Sequence, residues 1–438
     1  MIMVSDSELQ KKLASLGIQP GDEIMVASGE RELKGILIPH HEFSDHGIIT
    51  IKLDSGYNVG VKASGRTRIE LLKKADASPF GKQQSGAGHT ATNGLRRVAF
   101  AGTGGTIASF VDYRTGGVFP AMDAAGIVSL VPEISRICSL EGRNIFSFFS
   151  ENIGYQQWCV LAEEIADRLN EGYSGVLVSH GTDTLSYTAA ALSFMLPRLS
   201  GPVSIVGAQR SPDRPSFDGY LNLVSAARVS SSSDIGEVVA VMHASSSDRG
   251  CHVHRGTKVR KMHSSRRDAF RSVNAEPIAF VDDEIHFLSH YRKSTSGRVR
   301  ADTRMENEVA LLQFYPDMDA RDLMKWTDGK KGVVVAGTGL GHVNSGLVDA
   351  IGRLTGKDVP VVVTTQCLYG SVDLNVYATG RDLIKAGVID GKDMLPEVAY
   401  VKLRHVLAHH SRPGDIRKVM MHNAAGEFND RRTGLDEF

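Results

Sequence analysis

Two short turns in this sequence carry residue types that nucleophilic catalysis can use. Thr103-Gly104-Gly105-Thr106 follows the apolar run RRVAFAG, and Gly181-Thr182-Asp183-Thr184 follows GVLVSH. A threonine hydroxyl is a weak nucleophile at neutral pH and needs a base that a third group orients. Thr182-Asp183 sets a hydroxyl beside a carboxylate within one turn. A lysine paired with Asp183 and partly desolvated could carry protons to and from Thr182. The glycines let the backbone approach a ligand and leave N–H groups for a developing anion.

Each turn taken singly has other readings. Gly102-Thr103-Gly104-Gly105 and Gly337-Thr338-Gly339-Leu340-Gly341 follow strands, as phosphate loops do. Neither completes G-x-G-x-x-G with a suitably placed acid, and neither is a P-loop. A tight turn with threonine as a helix cap is the plain structural reading. The pair of hydroxyl-bearing turns moves the balance toward catalysis. His252, His254 and His263 have no accompanying Cys or carboxylate at ligand spacing, so no metal site is expected. Arg266, Arg267 and Arg271 read as a solvated face, and Asp218-Gly219 as a helix start.

These turns must be positioned by the elements around them. From about Ile18 to Leu72 the apolar runs are short and β-like, with Gly, Asp and Ser between them. A helix from Asp6 to Leu16 precedes them, with Ser5 or Asp6 as its cap. Residues 74 to 94 are polar and rich in Gly and Ser, as linkers are. From Leu95 onward buried strands alternate with helices, which is the pattern of α/β units with mostly parallel sheets. The expected organisation is a small β-barrel-like domain (1–75), a linker (76–94), a first α/β domain with both turns (95–300) and a second α/β domain (301–438).

Composition narrows the function classes. The chain has 50 Lys+Arg against 50 Asp+Glu, so it carries no global polyelectrolyte footprint for nucleic acid. The 45 glycines in 438 residues exceed the usual ~7% and point to many tight loops. The four cysteines are far apart and form no C-x-x-C pair, as in reduced proteins. The polar N-terminus and the lack of a long apolar stretch lead to the expectation of a cytoplasmic protein with no membrane contact.

TGGTIAS and SHGTDTLSYTA resemble the two signature motifs of the bacterial-type L-asparaginases and glutaminases. That resemblance implies a two-domain α/β fold that hydrolyses a side-chain carboxamide and releases ammonia. It implies Thr103 as nucleophile, with Thr182, Asp183 and Lys261 as the proton relay; which of the two threonines attacks first stays open, and Lys258 is the competing lysine. Tyr113 matches a lid tyrosine. Registering on Trp158 places Ser150 and Glu151 at the substrate-binding pair, with Glu in place of the usual Gln, and Gly181 lines the same site. The N-terminal β-rich extension, GAQRSPDRPSFDGYLNL and MLPEVAYVKL resemble one branch, the D subunits of archaeal glutamyl-tRNA(Gln) amidotransferases.

The branch implies that ammonia from glutamine passes to a partner, the E subunit of the amidotransferase. There ATP and Mg²⁺ convert Glu-tRNA(Gln) to Gln-tRNA(Gln), and this chain itself holds no cofactor. It further implies a homodimer within a hetero-tetramer. A free-standing L-asparaginase and a regulatory binding protein on the same scaffold are the rival readings.

Overall fold

The computed structural model describes residues 6–29, 31–39, 47–54, 58–74, 94–105, 107, 109–111, 118–120, 124–212 and 217–429. The N-terminal region comprises helix α1 (Asp6–Ser15) and strands β1 (Glu23–Ser28), β2 (Arg31–Leu37), β3 (Ile48–Lys52), β4 (Asn58–Lys62) and β5 (Arg68–Lys73). The strands form an antiparallel sheet in the order β4-β3-β2-β1-β5. Alternate residues such as Ile24, Val26, Ile49, Ile51 and Ile69 turn to one face and meet Leu9 of α1 in a small core. Strand β5 goes beyond the four apolar runs expected from sequence. Its segment RIELLK is half charged, yet its one fully inward residue, Ile69, is buried. Among the described residues no β4–β5 pairing closes this sheet into a barrel.

The larger body begins with β6 (Arg97–Gly102), a short hairpin β7 (Ser109–Val111) and β8 (Val118–Pro120), then α2 (Ala124–Leu130), α3 (Ile134–Ile137), β9 (Ser139–Asn144) and α4 (Tyr155–Asn170). It continues through β10 (Gly175–Ser179), α5 (Leu185–Met195), β11 (Val203–Val206), α6 (Gly219–Ser232) and β12 (Val238–His243). Strands β13 (Cys251–Arg255), β14 (Val259–Lys261), β15 (Phe270–Ser272), β16 (Ala279–Val281) and β17 (Ile285–Phe287) complete it. The main sheet runs β17-β16-β13-β12-β11-β10-β6-β9. Strands β9, β6, β10, β11 and β12 are parallel, and β13, β16 and β17 antiparallel. Every residue of β10, β11 and β12 is buried, because helices cover both faces. Val176 and Val178 pack with α4 and α5 on one face, and Leu177 packs with α6 on the other.

A second, fully parallel sheet consists of β18 (Val309–Gln313), β19 (Gly332–Gly337), β20 (Val361–Thr365) and β21 (Ile389–Asp390), in that order. Helices α7 (Ala320–Trp326), α8 (Val348–Thr355) and α9 (Ala378–Lys385) accompany one face; α10 (Pro396–Leu407) and α11 (Pro413–Met420) cover the other. Helix α10 joins the two bodies. Its Val398 and Val401 enter the core around α5, while Ala399 and Leu403 enter the core beneath β19 and β20. The polar segment between the sheets is strapped down by backbone bonds, including Asp302 N–H to the Met195 carbonyl at 2.8 Å. Among the described residues no helix is long and apolar enough to cross a membrane. The four cysteines are free.

Candidate active site

Strands β6 and β10 are parallel neighbours, and Gly102 pairs with Ser179 on their last rung. Both hydroxyl-bearing turns therefore emerge side by side at the carboxyl edge of the sheet, where α/β folds bind ligands. They touch through backbone. Gly105 has φ +84°, and a Cβ there would sit 2.5 Å from the Gly181 nitrogen. Gly181 in turn faces Ser150: an added Cβ would lie 2.7 Å from Ser150 Cβ. Ser150 is buried in a single helical turn (Ser150–Asn152), and its carbonyl accepts the Thr184 hydroxyl at 2.5 Å. Glu151, next in that turn, is exposed.

Lys261 reaches the second turn from the end of β14. Its register partner in the β14–β15 hairpin is Phe270, whose buried ring anchors the strand. Lys261 Nζ donates to Thr182 Oγ1 at 2.8 Å and to Asp183 Oδ1 at 2.7 Å. The structure thus brings Thr182, Asp183 and Lys261 into one hydrogen-bonded cluster. The Lys261 side chain is 12% exposed and that of Asp183 69%, so the cluster is walled on the lysine side and open on the other. Thr182 Oγ1 accepts from the ammonium, which leaves its own O–H hydrogen for a second acceptor.

Lys258, the competing lysine, is committed elsewhere. It is buried, and its Nζ lies 2.8 Å from Asp393 Oδ2, so it braces the base of the same hairpin. Thr257 adds a hydroxyl bond to the Ala425 carbonyl at 2.9 Å. Asn429 donates to both Asp393 oxygens, at 2.8 Å each. The C-terminal segment thereby holds the strand that carries Lys261.

Thr103 differs from the expectation that its motif raises. It is fully buried, and its hydroxyl donates to the Ser179 carbonyl at 2.7 Å. Its backbone N–H goes to the same carbonyl at 3.2 Å, so it prolongs the β6–β10 ladder by one residue. A buried hydroxyl whose hydrogen is bound to a backbone acceptor is not presented for attack. Tyr113 lies outside the described residues, as does Thr106, the other hydroxyl of that turn.

His180 is a residue of the site that the motifs do not single out. It is fully buried at the end of β10, with Nδ1 2.7 Å from the Gly181 carbonyl. That carbonyl can only accept, so Nδ1 carries the hydrogen. Burial pushes its pKa down to about 4, which keeps the ring neutral. A polar residue closing an otherwise apolar strand was the signal available. Other polar and charged groups nearby are tied into local bonds. His254 Nδ1 meets Ser272 Oγ at 2.8 Å, and His263 Nδ1 accepts two backbone N–H groups. Arg266 and Arg271 both grip Asp268 at 2.8 Å. Asp218 accepts the N–H groups of Gln209 and Arg210, which fixes the loop after β11.

Comparison with known proteins agrees with this architecture. Residues 97–293 match the asparaginase N-terminal family and residues 308–420 the glutaminase/asparaginase C-terminal domain. Residues 18–72 match the GatD N-terminal domain. The D subunit of the glutamyl-tRNA(Gln) amidotransferase of Pyrococcus furiosus is 48% identical over 96% of this chain and 97% of its own. That of Thermococcus kodakarensis is 46% identical over 94% and 95%. Among solved structures, the thermostable L-asparaginase from Thermococcus kodakarensis superposes with a TM-score of 0.69 at 31% identity, covering 76% of this chain and all of that one. A probable cytoplasmic L-asparaginase from Campylobacter jejuni gives 0.63 at 29%, over 75% and 100%. The asparaginase structures thus cover about three quarters of the chain, whereas the amidotransferase D subunits cover nearly all of it. The chain belongs to the family of glutamyl-tRNA(Gln) amidotransferase D subunits.

Proposed function

We propose that this chain is the glutaminase component of a tRNA-dependent amidotransferase. It hydrolyses glutamine to glutamate and ammonia, and the partner E subunit uses the ammonia with ATP and Mg²⁺ to convert Glu-tRNA(Gln) to Gln-tRNA(Gln). The observation that carries the chemical half is the Lys261 ammonium bonded at once to Thr182 and Asp183.

In this reading a threonine oxygen of the first turn attacks the side-chain carboxamide carbon. Backbone N–H groups of the glycine turns hold the oxyanion. The hydroxyl proton passes through the Thr182–Asp183–Lys261 cluster to the amide nitrogen, which leaves as ammonia. Water then attacks the glutamyl ester, releases glutamate and restores the hydroxyl. Thr103 is bound to Ser179, so we assign the attack to Thr106. Ser150 shapes the pocket floor against Gly181, and the Glu151 carboxylate is the group in that turn suited to the substrate's α-ammonium.

The test is ammonia release from glutamine by the purified chain, alone and then with the E subunit, ATP and Glu-tRNA(Gln). Lys261→Met and Thr182→Ala should each lower turnover by roughly 10²–10⁴-fold, the usual worth of positioned acid–base groups. Thr106→Ala should lose activity, whereas Thr103→Val should cost stability and keep turnover. A Lys261→Met chain that works at the parent rate removes the relay from the mechanism. Efficient asparagine turnover by the chain alone, with no response to the E subunit, would favour a free-standing asparaginase instead.

A further inference from the structure

The segment that links the two α/β bodies meets the end of α10 at a group of potential metal donors. Asp302, His405 and His409 each offer one donor atom, and these atoms lie within 4.8 Å of one another. His409 Nδ1 is 2.6 Å from the His405 carbonyl, which can only accept, so this nitrogen carries a hydrogen. Its Nε2 is 2.7 Å from Asp302 Oδ2. In a neutral ring that would set a lone pair against a carboxylate, so the contact requires a proton or another cation. Nδ1 of His405 is buried and has no hydrogen-bond partner among the described residues. With no group bonded to it, Nδ1 can offer a lone pair to an ion. Arg304 holds the Asp302 carboxylate in place through bonds of 3.0 and 2.8 Å, as the outer partners of metal-bound carboxylates do.

We propose that Asp302, His405 and His409 bind a divalent cation of the Zn²⁺ class. Two imidazole nitrogens and a carboxylate oxygen are a donor set for that ion, with water as the fourth ligand. Zn²⁺ takes the place of the proton on His409 Nε2, and the proton leaves to solvent. Donors about 2 Å from one ion stand roughly 3.3 Å apart, so the 2.7 Å contact between Asp302 and His409 opens slightly to admit the ion. The site is separate from the hydroxyl cluster. Asp302 is bonded to Met195 at one end of α5, and Thr182 and Asp183 precede its other end. The 11-residue helix spans about 16 Å. A bound ion would clasp the linking segment to α10 and so stabilise the junction of the two bodies.

The full-length chain, stripped with chelator and dialysed, is titrated with Zn²⁺ and assayed for retained metal. One ion per chain is expected, with affinity about tenfold or more weaker in His405→Gln or His409→Gln and stoichiometric retention lost in the double variant. Circular dichroism checks that the variants are folded. The parent chain is also loaded with Co²⁺, whose intense visible absorption reports tetrahedral ligation without any substitution. No retained ion, binding unchanged in the folded double variant, or Co²⁺ with only its aqueous spectrum would each overturn the site and leave a plain Asp302–His409 ion pair.

Discussion

His180 stands where β10 becomes the Gly181-Thr182-Asp183 turn, and its neutral state has a consequence for stability. An unfolded histidine takes up a proton near pH 6.5, whereas burial holds His180 unprotonated down to about 4. Burial drives His254 in the same direction. Between these limits the unfolded chain binds more protons than the folded one, so stability falls as pH is lowered through 6.5 toward 4. Each such histidine contributes a slope of about 1.4 kcal/mol per pH unit. Urea unfolding between pH 7.5 and 5 should show this loss, and His180→Gln should remove one proton's share of the slope; an unchanged slope would contradict the assignment. At this scale residue types were legible and side-chain direction was not. TGGT offers two hydroxyls, and sequence alone does not say which one the last rung of the ladder turns inward. Thr103 turns out to be the inward one, since it bonds across to Ser179 as a strand residue does. Thr182-Asp183 needed no such choice, because the side chains are adjacent in one turn.

The β14–β15 hairpin shows what an element needs to hold a lysine against a hydroxyl and a carboxylate. It is a three-residue pairing, too short to keep its own geometry, and Lys261 sits at its free end. The buried Lys258–Asp393 pair supplies the rigidity from the second α/β body. Lys258→Met would leave the Asp393 carboxylate buried with the bonds from Asn429 alone. A loss of about 3 kcal/mol is expected, since breaking a buried pair strands one charge. The double variant Lys258→Met/Asp393→Leu should regain part of that loss, and ammonia release should fall in the single variant as Lys261 loosens. Urea unfolding of the three chains measures the coupling; a single-variant loss below roughly 0.5 kcal/mol would mean the pair holds nothing. This brace was invisible beforehand because its partners are 135 residues apart. The strands themselves were legible, since β10, β12, β19 and β20 read as continuous apolar runs bounded by Gly turns. Strand β5 was hidden because partial burial let half its residues be charged.

Across the whole molecule, the N-terminal sheet is energetically self-contained. Among the described residues its core draws on residues between Leu9 and Leu71, and the four cores of the α/β bodies draw on none before Val98. The asparaginase structures cover about three quarters of the chain, as a fold without this sheet would, while the amidotransferase D subunits cover nearly all of it. A part that matches the GatD N-terminal domain rather than either asparaginase domain, and that is separate from the site's own cores among the described residues, is suited to assembly rather than to amide hydrolysis. Removing residues 1–75 should therefore leave a folded body whose basal glutamine hydrolysis stays within about twofold of the parent, because among the described residues the bonds of the Thr182–Asp183–Lys261 cluster lie within the α/β bodies. The same deletion should lower Gln-tRNA(Gln) formation in the presence of the E subunit, ATP and Glu-tRNA(Gln). Measuring both rates on one preparation separates the two roles. A folded truncation with dead basal hydrolysis would place the N-terminal sheet in the chemistry, and one with unimpaired transamidation would deny it a part in assembly.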